Sequence, residues 1–225
     1  MSATVGICAL CGTAAELRES HYLPAAFFRR LHGENDDGKV TYPISLNANR
    51  QMYDCHQVKA TLLCDVCEHS FKVHGEDCVI GCTARTDGRF PLRDLLLRSL
   101  PIEKVGPTPE GRLAYVYAGS RIPGIRHTEI MYFAASVFWR GAAFDWSRVS
   151  DYSQLRLPPD LGPALRAYLL GTAPFPPSVL LQVEVAANPA VGRGTLGMIF
   201  PEKIIPRHPN ASSEPRGYFS LWFAA

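Results

Sequence analysis

Apolar and polar positions divide this chain into two unequal parts. Up to about residue 84 the apolar residues come in short runs, broken by glycine, cysteine, histidine and charge, with no long periodic segment. Residues 23–31 (LPAAFFRRL) have the spacing of a short helix, with Pro24 in the first turn, where a missing N–H costs little. Residues 33–39 (GENDDGK) read as a turn. A further helix is predicted to begin at Cys67 and run to about residue 73. Beyond residue 85 the pattern changes. Residues 91–100 (PLRDLLLRSL) carry leucines at helical spacing with arginines between them and predict an amphipathic helix. Residues 129–142 (EIMYFAASVFWRGA) are the most apolar helical stretch and predict a central core helix. Residues 161–170 predict another, stopped by Gly171 and the turn APFPP. Short strands are expected at 113–117, 179–185 and 218–223, with 195–200 as a partner for 179–185.

The expected fold class is α+β. An N-terminal module over residues 1–84 precedes a mixed α+β domain over residues 85–225, and neither a repeat nor a low-complexity tract interrupts them. Trp139, Trp146 and Trp222, with Phe138 and Phe144, read as core rather than as a base-stacking platform.

Composition fits a globular protein with a real core: of 225 residues, 47% are hydrophobic and 20% charged. The 23 basic and 21 acidic residues leave a net charge of +2, which neither demands nor forbids nucleic acid as a partner. A local basic face would be enough, and Arg29, Arg30, Arg85, Arg89, Arg93 and Arg98 are its candidates. The opening residues MSATVGICALCG lack a basic stretch followed by an apolar run, so no export signal is expected. No stretch approaches the roughly 18 apolar residues of a membrane span. Seven cysteines, four of them in CxxC pairs, suit metal binding in a reducing cytoplasm better than a disulfide framework.

Those pairs are Cys8-Ala-Leu-Cys11 and Cys64-Asp-Val-Cys67. Structural zinc takes four ligands in a tetrahedron, and each CxxC turn supplies two thiolates from one side of a tight loop. Two such turns far apart in the chain close a long loop, where a staple acts strongly on chain entropy. The intervening length points to a treble-clef arrangement: a knuckle, an inserted segment, then a knuckle opening a helix. Cys55, Cys78 and Cys82 read as small buried hydrophobes. Cys78 and Cys82 with His69 or His74 form only a weak second metal set.

After the first knuckle comes Ser20-His21-Tyr22-Leu23-Pro24; after the second come Glu68-His69-Ser70-Phe71 and His74-Gly75-Glu76. The order CxxC, SHxLP, a long insert, LLCxxCExxF and a GE pair resembles the HNH endonuclease-like family of treble-clef (ββα-metal) proteins, over roughly residues 5–82. The resemblance implies a metal-dependent endonuclease that hydrolyses phosphodiester bonds in DNA. It implies that His21 is the general base, that His74 and Glu76 hold a catalytic magnesium or manganese ion, and that Asn49, preferred over Asn47, orients the histidine. Glu68 and His69 are read as structural, Glu68 bonding a backbone N–H at the helix start. One position departs from the family's pattern: Ser20 stands where an acidic residue or a histidine usually ligates the metal, and a hydroxyl is a poorer ligand. By family analogy the protein is an effector in a bacterial antiphage defence system, acting with a sensor or ATPase partner or as a homo-oligomer. The alternative is a non-catalytic zinc treble-clef module that binds a protein or nucleic-acid partner. A zinc-dependent transcriptional regulator fits less well, because helix 129–142 lacks the polar face of a recognition helix. Gly192-Arg193-Gly194 is a lone turn rather than a phosphate loop, and no GxSxG elbow occurs.

Overall fold

A computed structural model describes residues 4–27, 57–83, 89–104, 115–150 and 154–185 in full, together with the strand backbone at 33–34, 40–41, 44–47, 50–53, 105, 114 and 217–223. The chain is a mixture of helix and sheet. Strands β1 (Thr4–Ile7) and β2 (Ala14–His21) form an antiparallel hairpin in which Ile7 faces Ala14. The turn between them holds Cys8 and Cys11. It is closed by Cys8 N–H donating to Thr13 O (2.9 Å) and by Gly12 N–H donating to Cys8 O (2.8 Å). Gly12 sits at φ 81°, a conformation that side-chain-bearing residues adopt only at a cost.

Short hairpins follow, β3 (Gly33–Glu34) with β4 (Val40–Thr41) and β5 (Ile44–Asn47) with β6 (Arg50–Tyr53). The chain then returns as β7 (Lys59–Cys64), antiparallel to β2, so that the sheet order is β1-β2-β7. Tyr22 N–H donates to Val58 O (2.9 Å) and pins together the two ends of the inserted segment. The β2–β7 register slips between Arg18 and Glu19. The extra residue is Leu62, whose carbonyl accepts Ala9 N–H (3.1 Å), so the bulge ties the first knuckle to β7.

Cys64 leads directly into helix α1 (Asp65–Phe71). The helix does not stop near residue 73. It widens by one residue over Lys72–Glu76, where Asp77 N–H reaches back to Lys72 O, and continues as α2 (Asp77–Thr83). Helix α3 (Pro91–Arg98) has proline in its first turn, as expected, and is followed by hairpin β8 (Glu103–Val105) and β9 (Ala114–Val116). The apolar stretch becomes α4 (His127–Ala143), and α5 (Leu161–Leu169) ends before Gly171 at φ 72°. Strand β10 (Val179–Val185) pairs in parallel with β11 (Gly217–Phe223). The expected partner at 195–200 lies outside the described residues, as do residues 28–31 of the short helix predicted at 23–31.

Helix α4 lies at the centre of the core. Phe133, Ala134, Ala135, Val137 and Phe138 are buried, and Phe71 meets Trp139 edge-on at 6.2 Å. Tyr22 stacks on Trp146 at 4.8 Å. Gly75 packs against Phe133 so closely that a Cβ there would lie 2.9 Å from the Phe133 backbone. Residues on both sides of the expected boundary at 84 therefore share one hydrophobic cluster. Among the described residues no helix is long and apolar enough to cross a membrane.

Candidate metal centre and the polar cluster beside it

The hairpin turn and the start of α1 bring Cys8, Cys11, Cys64 and Cys67 together, with all four sulfurs within 4.8 Å of one another. Zinc–sulfur bonds of about 2.3 Å in a tetrahedron require sulfurs roughly 3.8 Å apart. The Cys11–Cys64 separation is 3.9 Å, so the set fits a metal ion such as zinc. Cys64 N–H points at Cys8 Sγ (3.4 Å), a charge-assisted donor for a thiolate. Burial pushes the Cys64 and Cys67 thiols above their usual range. The Thr13 hydroxyl, 2.8 Å from Cys11 Sγ, lowers that thiol to about 6. A divalent cation would resolve this mixture, because metal binding holds every ligand as a thiolate. A surface groove of about 610 Å³ opens over Cys11, Cys64 and Cys67, between Arg18, Ser70 and Leu170; it does not reach His21.

A second cluster lies at the far end of β2. His21 is the last residue of the strand and is half-buried opposite Lys59 of β7. The preceding Ser20 is fully buried. Helix α1 turns Glu68 toward them, and the widened turn carries Glu76 to the same place. Arg140, in the middle of α4 and 1% exposed, holds the group together. Its Nη1 donates to the His21 carbonyl (2.8 Å) and its Nη2 to Glu76 Oε1 (2.9 Å). Its Nε reaches the Ser136 carbonyl (3.3 Å), and its guanidinium lies over the Phe71 ring at 5.3 Å. Burial pushes the Glu68 carboxyl above the usual range; the Ser20 hydroxyl and the charges of Arg140 and His21 oppose that push, and Glu76 adds to it. Yet neither Ser20 Oγ nor Glu68 Oε1 meets hydrogen-bond geometry with any described residue.

The expected site residues fall at these places in the fold. Glu76 sits beside the His21 strand, but its carboxylate is engaged by Arg140. His74, two residues earlier, is exposed and lies against Tyr132 (5.5 Å between rings). Glu68 does not cap α1, whose N-terminus has no side-chain cap bond. Asn49 lies outside the described residues. Among the described residues, the four cysteines are the one group of three or more His, Cys, Asp or Glu side chains that converge closely enough for a shared metal ion. Sequence reasoning passed over Arg140, a lone cation in an apolar helical stretch whose partners lie 64 and 119 residues away. A charged residue at a position the helical period assigns to the core was the available signal.

Comparison with protein-family models, with curated proteins and with solved structures finds no match.

Proposed function

We propose that this chain is a zinc-stapled, HNH-like endonuclease that cuts DNA in the cytoplasm, built on a treble-clef finger. One observation carries the reading. His21 ends a strand that pairs antiparallel with β7, and β7 runs without a break into the helix opened by Cys64 and Cys67. That frame sets an imidazole at the mouth of a strand–strand–helix unit whose helix supplies carboxylates.

In this scheme zinc on the four cysteines holds the knuckles and takes no part in the chemistry. His21 accepts a proton from the attacking water; a positioned base of this kind is worth about 10²–10⁴-fold. By the resemblance, His74 and Glu76 would hold a magnesium or manganese ion, with the unsatisfied Glu68 Oε1 as a further hard oxygen donor, and Glu76 would have to release Arg140 to do so. An ion held there would supply charge stabilisation to the phosphate oxygens. The role as an antiphage effector with a sensor or ATPase partner, or as a homo-oligomer, rests on family analogy alone.

The test is plasmid nicking by the purified chain with magnesium, manganese or EDTA, beside His21→Ala and Glu68→Gln. Metal-dependent nicking that falls at least about 100-fold in His21→Ala, with zinc retained, supports the nuclease. The Arg140–Glu76 ion pair favours a second reading, a non-catalytic module that binds a protein or nucleic acid, because a buried guanidinium beside Glu76 repels a cation. Absence of nicking under every metal, with binding of a DNA duplex unchanged in His21→Ala, would select it.

A further inference from the structure

We infer that Arg140 is a positioning residue for His21, so that the candidate site is completed by helix α4 rather than by the zinc-stapled module alone. The inference rests on His21 being the reactive group. The guanidinium is buried, so it acts through the groups it holds. Its planar fork offers five N–H donors in fixed directions, and it spends them on both halves of the molecule. Nη1 grips the carbonyl of His21 itself, at the end of β2, one residue before the Tyr22 N–H bond to Val58 O. Nη2 grips Glu76, and the widened helical turn is what brings Glu76 within reach.

Arg140 is itself fixed from three sides. Nε bonds the Ser136 carbonyl one turn earlier in α4, Nη2 also meets Ser136 Oγ (3.4 Å), and Phe71 lies under the guanidinium. The Arg140 carbonyl accepts the indole N–H of Trp146 (3.0 Å), and Trp146 stacks on Tyr22, the residue after His21. The backbone on the far side of His21 is thus set by a second route that starts at the same residue. A simple core ion pair would need only the Glu76 contact. The bond to the His21 carbonyl acts on the backbone from which the imidazole leaves the strand, whereas the Trp146–Tyr22 route runs through the Arg140 main chain and survives any substitution of its side chain.

The experiment compares the zinc-loaded full chain with Arg140→Met and Arg140→Lys. Three quantities are read: zinc content, the imidazole chemical shifts of His21 at fixed pH, and kcat and KM for nicking. His21→Ala identifies the imidazole signals. Positioning predicts that Arg140→Met keeps its zinc, moves the His21 signals, and lowers kcat by about 100-fold with KM little changed, the size of effect a misplacement of about 1 Å produces. Unmoved His21 signals, or a wild-type kcat in folded Arg140→Met, would overturn it. If the methionine variant does not fold, Arg140→Lys decides. Its single ammonium keeps the charge but does not span His21 O and Glu76 together, so the His21 signals must still differ from wild type, and identity would overturn the inference. Should the wild type nick under no metal, the nuclease reading fails, while the His21 signals still decide whether Arg140 positions that side chain.

Discussion

Gly75→Ala is the perturbation whose outcome the geometry decides most directly. An added Cβ would lie 2.9 Å from both Cα and N of Phe133 and 3.1 Å from its Cβ. The two nearest atoms are backbone, so no rotamer change relieves the contact; helix α4 or the widened turn must move. Overpacking of this kind costs about 1–3 kcal/mol, and immovable neighbours place this site near the upper end. Alanine in a helix recovers up to about 1 kcal/mol relative to glycine. The net loss is about 2 kcal/mol, which for a chain of this size lowers Tm by roughly 4–8 °C. Gly81, in the same helical run, has nothing within 4 Å of its ideal Cβ position. There only the propensity gain remains, so Gly81→Ala should raise Tm by up to about 4 °C. Calorimetry on both variants at equal zinc occupancy reads the opposite signs. A Gly75→Ala protein as stable as wild type would refute the claim that this helix pair is in backbone contact.

Two further outcomes follow from the metal centre and the buried acid. The purified chain should hold one zinc per molecule and lose it as pH falls, because each thiolate must take up a proton; Cys64→Ser should bind zinc far more weakly, and metal retained by a Cys8→Ser, Cys64→Ser double variant would count against the four-sulfur site. Glu68 is raised in the fold by burial, so between its ordinary value and its raised one the native state binds more protons than the unfolded chain, and stability falls as pH rises. Glu68→Gln should therefore melt higher than wild type at pH 8, with the advantage shrinking toward pH 5.5; a pH-independent difference in magnesium-free buffer would show that the carboxyl is not strained by burial.

The main helices and the metal ligands were legible because their signals are local. Leucine spacing at 91–100 predicted α3, the apolar run at 129–142 predicted α4, and residues 161–170 predicted α5, each within a few residues of the observed ends. The two CxxC pairs announced the knuckles, since few other roles require two cysteines in a tight turn. What stayed hidden depends on contacts across the fold. The prediction ended the second knuckle's helix near residue 73, yet the observed one runs on to Thr83. Gly75 lies within that run, and only the approach of Phe133 shows why glycine is needed there. Glu68 looked like a cap by its place in the helix, but burial against Ser20 and Arg140 decided its environment. Arg140 was invisible as a site residue, because nothing near it in the chain hints at His21 or Glu76.

The hydrogen bond from Tyr22 to Val58 has a consequence for how such a chain can diversify. The inserted segment leaves and rejoins the sheet at one point, immediately beyond His21, while the knuckles and α1 lie at the other end of the same two strands. Tyr22, Leu23, Phe27 and Val58 anchor its two ends in the core, and between those anchors each doubling of length costs about 0.6 kcal/mol of closing entropy. Lineages, or protein engineers, could therefore exchange the chain between those anchors for another insert, leaving the metal centre and the Arg140 clamp unaltered. The position beside His21 is then a natural graft point, at which new chain can be added at the opposite end of the strands from the four cysteines.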